Sequence, residues 1–115
     1  MIMVFRIKKG DDGKSLRYQL KKSTDGVVAV VNITNATLKF WLRKVGASTP
    51  LIDGRDCTSG VTTAASGLGA ISFTSTDTAT PGNYALEIQV TYQGGAIETF
   101  PEHGFVSVVI AEDLD

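Results

Sequence analysis

Few side chains in this 115-residue chain are equipped for chemistry: one cysteine, Cys57, one histidine, His103, and a scatter of carboxylates. Cys57 lies in Asp53-Gly54-Arg55-Asp56-Cys57-Thr58, where Arg55 is placed to stabilise a thiolate. A nucleophilic thiol also needs a base and a group to orient that base, and nothing in the sequence brings His103 to Cys57. Cys57 therefore reads as a structural free thiol with no internal disulfide partner. His103 has no second ligand at metal-binding spacing. Asp11-Asp12 and the Asp53/Asp56 pair lack the alternate-position ligands and closing Glu of a calcium loop, and read as turn caps. Gly13-Lys14-Ser15 ends like a phosphate-binding loop, but Lys8 stands where the first glycine belongs and no helix signal follows. No carboxylate pair stands out for glycosidase or esterase work. The expectation is a non-enzyme with no cofactor and no metal.

Trp41 is the stronger binding candidate. In Thr37-Leu38-Lys39-Phe40-Trp41-Leu42-Arg43, Leu38, Phe40 and Leu42 share one face of a strand, and Thr37, Lys39, Trp41 and Arg43 share the other. This alternation turns Trp41 outward beside two cations, and Trp and Arg are enriched in interface hot spots. A bulge that reversed parity would instead bury Trp41 in the core, like the strand C tryptophan of immunoglobulin domains. The outward reading is preferred. The Thr37/Lys39/Trp41/Arg43 face is then a partner-binding surface, with the small, polar stretch from Thr58 to Gly69 as a mobile contact loop beside it.

The elements that position this face are strands. Leu16, Tyr18 and Leu20 alternate with polar residues, Asp25-Gly26 marks a turn, and Val27 to Ile33 forms the next run. Asn32-Ile33-Thr34 and Asn35-Ala36-Thr37 are formal glycosylation acceptors that serve better as a strand-to-strand turn. Further strands follow at Gly69 to Thr74, Tyr84 to Tyr92, Ala96 to Phe100 and Phe105 to Ile110. Asp77, with Gly82-x-Tyr84 at the mouth of the longest strand, has the form of a tyrosine corner. The predicted fold is one all-β domain over residues 1–115, an immunoglobulin-like antiparallel sandwich of about seven strands.

Eleven basic and twelve acidic residues leave a net charge of −1, too little field to gather nucleic acid or an anionic membrane. The start, Met1-Ile2-Met3-Val4-Phe5-Arg6, places its few apolar residues before its charges, the reverse of a secretory signal. No window approaches the roughly 18 apolar residues of a membrane-spanning helix. A soluble protein made in a cytosol is expected.

Phe5-Arg6-Ile7 with Gly10-Asp11, Leu16-x-x-x-Leu20, Asp25-Gly26, Val31 to Phe40, Asp77-Thr78 with Gly82-x-Tyr84, and Phe100-Pro101-x-x-Gly104, taken in order, resemble the small immunoglobulin-like domain at the N-terminus of phage baseplate upper proteins, and related short phage tail proteins. The resemblance spans Phe5 to Leu114. It implies a virion structural or assembly protein of the tail or baseplate, synthesised in the host cytoplasm, that docks to other phage structural proteins. It carries over no catalytic residue. Repeated virion parts make a homo-oligomer an accompanying expectation. The alternative is a carbohydrate-binding or adhesion module stacking a sugar on Trp41.

Overall fold

Alternating apolar and polar residues become strands with one buried face. In the computed structural model, which describes residues 4–101 and 104–112, Leu38, Phe40 and Leu42 are buried while Thr37, Lys39 and Arg43 are exposed. The strands in chain order are β1 (Val4–Lys8), β2 (Ser15–Gln19), β3 (Lys21–Thr24), β4 (Val27–Val30), β5 (Thr37–Lys44) and β6 (Ile52–Asp56). They continue with β7 (Val61–Thr63), β8 (Leu68–Ser72), β9 (Gly82–Thr91), β10 (Ile97–Phe100) and β11 (Val106–Ala111). His103, on which the metal and general-base readings turned, lies outside the described residues, as do Met1 to Met3.

The large sheet runs β1-β11-β9-β5-β6, with β10 also paired to β9, and the smaller one runs β2-β8-β7. Their facing side chains make one core, in which Leu38, Leu86 and Val90 are fully buried and Phe40 meets Phe73 edge-on at 6.1 Å. Truncating a residue such as Leu86 to Ala in a core this closed costs about 2–5 kcal/mol. The protein is thus an all-β sandwich. Two details differ from the sequence-based picture. β1 pairs with β11 in parallel, so the large sheet is mixed. The runs expected as single strands also break, so the described residues form more strands than about seven.

One of those breaks matters most. The run Val27 to Ile33 was expected to be one strand, but β4 ends at Val30. Val31 and Ile33 instead turn into the core, with Val31 donating its amide to Leu20 and Ile33 to Ala64. The acceptor-like sequence Asn32-Ile33-Thr34 makes the expected turn: Asn32 Oδ1 accepts from the Thr34 amide at 3.0 Å and hydroxyl at 2.6 Å. β3 and β4 form a separate two-stranded hairpin. Asp25 (φ 52°) and Gly26 (φ 79°) close it with the positive φ pair of a type I′ turn. Lys22 ties this hairpin to the body through a 2.7 Å ion pair with Glu98 on β10.

The stretch from Thr58 to Gly69 is not an open loop. It holds two short 3-10 turns, Thr58–Gly60 and Ala64–Ser66, with β7 between them. Thr58 Oγ1 accepts the Leu38 amide at 2.9 Å, and Gly67 offers its carbonyl to Leu20 at 2.9 Å. Gly67 sits at φ 68°, where a Cβ would lie 2.7 Å from the Val31 carbonyl oxygen. Small residues here permit close backbone approach rather than motion. Gly13-Lys14-Ser15 is similarly ordinary: Ser15 begins β2 and the Lys14 ammonium rests 5.1 Å from the Phe5 ring centre.

Candidate functional site

The outer face of the large sheet is built from the polar parity of β5 and its neighbours. Against β9, β5 keeps unbroken register from Thr37 opposite Thr91 to Lys44 opposite Tyr84, so Trp41 stands opposite Glu87 and points away from the core. A bulge does occur here, but in β6. Asp53 and Gly54 together face Trp41, between the pairs Phe40–Arg55 and Leu42–Ile52. The extra residue is taken up by Gly54, at φ 69°, and the parity of β5 is preserved.

That bulge also decides how Trp41 is held. The indole Nε1–H donates to Asp53 Oδ1 at 2.9 Å, and the ring lies against Gly54, where a Cβ would come within 3.1 Å of it. Trp41 is half-buried rather than freely solvated. Beside it, Arg43, Pro50, Asp53, Ala85 and Glu87 complete a shallow groove of about 290 Å³. Ala85 provides the space, because it is the small residue opposite Arg43. Of the four predicted contact residues, Trp41 and Arg43 line the groove. Thr37 and Lys39 share the face, exposed, but lie outside it. Asp53 and Glu87 line the groove without having been among the expected contact residues. Glu87 was legible from its polar parity on β9, whereas Asp53 reaches Trp41 only because of the bulge.

No family model and no curated protein matches the chain.

Cys57 is buried beneath this sheet, and burial, reinforced by the Asp56 carboxylate, pushes its thiol up to about 11. Arg55 does not serve that thiol. Its guanidinium holds Asp77 with Nη1 at 2.7 Å and Nη2 at 2.9 Å, and lies 5.8 Å from the Phe40 ring centre. The Asp53/Asp56 pair divides its work: Asp53 fixes Trp41, and Asp56 accepts the Thr58 amide at 2.8 Å, a hydrogen bond that lowers its pKa. Among the described residues no group of three or more His, Cys, Asp or Glu side chains is arranged to hold a metal ion. No helix of the described residues is long and apolar enough to cross a membrane.

Asp77, Gly82 and Tyr84 build the approach to β9. Tyr84 Oη donates to the Thr80 carbonyl at 2.8 Å, the backward hydrogen bond of a tyrosine corner. Asp77 Oδ2 also accepts the Thr74 amide at 2.8 Å, and Thr74 Oγ1 accepts the Asp77 amide at 3.1 Å. Gly82 starts β9 at φ 151°, with the Lys44 side chain close by, at 2.9 Å from a would-be Cβ. These residues fix the loop that carries β9 into register under the groove.

Proposed function

We propose that this domain is a non-enzymatic structural or assembly module of a phage virion, tail or baseplate associated, that docks to other virion proteins through the outer sheet face around Trp41. The observation that carries the docking reading is the Trp41–Asp53 hydrogen bond. It holds a large aromatic side chain in one place at the wall of a groove, so little ordering entropy remains to be lost when a partner binds. Arg43 and Glu87 flank it with opposite charges, which favour orientation over raw affinity. The virion setting rests on the resemblance described above. The Thr58 to Gly69 segment, packed into the sandwich, is left out of the contact surface.

Mass spectrometry of gradient-purified particles tests the proposal. The chain is expected at fixed stoichiometry to the major tail proteins, and Trp41→Ala combined with Arg43→Glu should remove it from particles while the isolated domain stays folded. Unchanged incorporation of the double variant would sink the docking face; absence of the wild-type chain from particles would sink the virion assignment.

A second reading has its own support. The groove is the size of a small ligand and sets the Trp41 ring beside the carboxylates of Asp53 and Glu87, which can accept hydrogen bonds from sugar hydroxyls. Glycan-array binding lost on Trp41→Ala would move the function to carbohydrate recognition.

A further inference from the structure

The β3–β4 hairpin presents Val27-Val28-Ala29-Val30 entirely in the open, with Val27 and Val28 exposed at 66% and 64% and Val30 at 47%. No described strand other than β3 pairs with β4. The two-residue turn sets the hydrogen-bond phase. Thr24 and Val27 flank it as a bonded pair, Lys22 and Ala29 form the next, and the backbone N–H and C=O of Val28 and Val30 point away from β3. An edge without charge or proline, with its polar groups directed outward, is a template for another strand.

We propose that this edge pairs antiparallel with the same edge of a second copy of the chain, about a two-fold axis that sets Ala29 opposite Ala29 of the second copy. In this register Val28 of each copy exchanges both hydrogen bonds with Val30 of the other, so every outward backbone group of those residues is satisfied. Ala29 falls at the non-bonded pair, where antiparallel strands come closest and the smallest side chain of β4 fits. The charges agree. Across one face the row reads Lys21, Val30, Val28 of the second copy, then Ser23 of the second copy, so no like charges meet. The hairpin has its own reason to take a partner, since two strands alone are marginally stable and four make a sheet. A contact through one four-residue strand per copy is small beside the roughly 1,000 Å² of a stable interface, so the pairing is reversible in the free chain and fills when copies are held close in an assembly. This contact uses a different surface from the Trp41 groove.

Cysteine trapping on the full chain tests it. Ala29→Cys sets two thiols at the two-fold axis with a Cα separation near 4.5 Å, within disulfide range, and the buried Cys57 does not compete. Under mild oxidation Ala29→Cys should give covalent dimer roughly tenfold faster than an exposed control, Val45→Cys, at equal concentration. Adding Val28→Pro removes an outward N–H and leaves the β3–β4 ladder bonds in place; adding Val28→Lys charges the edge without touching the backbone. Either addition should return the rate to that of the control. Equal rates for Ala29→Cys and Val45→Cys would overturn the pairing, and faster trapping by Val28→Cys or Val30→Cys than by Ala29→Cys would overturn the register.

Discussion

Arg55 grips Asp77 with two parallel hydrogen bonds, at 2.7 and 2.9 Å, and so ties β6 to the loop that leads into β9. The two ends of this bond live in different surroundings. The Asp77 side chain is 7% exposed and that of Arg55 is 42% exposed. Removing the exposed cation is therefore the change that strands a buried charge. Asp77→Ala, which also strands the Thr74 amide, should cost about 2–4 kcal/mol. Arg55→Ala should cost at least as much, since it leaves the buried Asp77 carboxylate without its charge partner. Urea unfolding of the two variants measures the difference.

The same pair makes stability depend on acid. The hydrogen bonds from Arg55 hold the Asp77 carboxyl below the usual aspartate range, outweighing the effect of its burial. A carboxyl whose native pKa is lowered contributes stability that is fully present above its unfolded value, near 3.9, and lost as pH falls through the native value. Urea midpoints measured from pH 6 down to about 2 should fall most steeply below about pH 4. Asp77→Asn should be less stable at neutral pH and show a flatter acid limb.

Trp41 should emit at a wavelength between those of a buried and a solvated indole, because one side of the ring rests on Gly54 while another lines the groove. Asp53→Ala removes the acceptor of the indole N–H and should shift the emission to the red with little loss of fold stability. An unshifted spectrum would mean that packing on Gly54 alone fixes the ring.

Cys57 should be inert in the native protein. With its thiol pushed up to about 11, the thiolate fraction at pH 8 is roughly 1 in 1,000, about a hundredfold below that of an ordinary cysteine. Reaction with a disulfide reagent should be slower by at least about that factor until denaturant is added. Fast native labelling would show the thiol to be accessible.

Two buried tyrosines should answer the same change with opposite signs. Tyr84 Oη has its bond to Thr80, so Tyr84→Phe should cost about 1 kcal/mol. Tyr18 Oη is buried without a hydrogen-bond partner among the described residues, and burial raises that phenol to about 12. Tyr18→Phe should be neutral or stabilising by up to about 1 kcal/mol, measured as a change in urea midpoint.

The sequence alone determined what depends on near neighbours along the chain. Period-two alternation assigned Leu38, Phe40 and Leu42 to the core and Trp41 and Arg43 to the outside, because successive side chains on a strand must point to opposite faces. Asp25-Gly26 announced a tight turn, since both positions adopt positive φ. Only the tertiary structure decided what depends on residues meeting from afar. The parallel pairing of β1 with β11 follows the path of the whole chain. The grip of Arg55 on Asp77 joins residues 22 apart in sequence. The anchoring of Trp41 by Asp53 required an extra residue in β6 that no alternation pattern reveals. Val27 to Val30 is apolar throughout yet exposed, because burial is settled by whether a second layer lies over a strand and not by the strand's own apolar content.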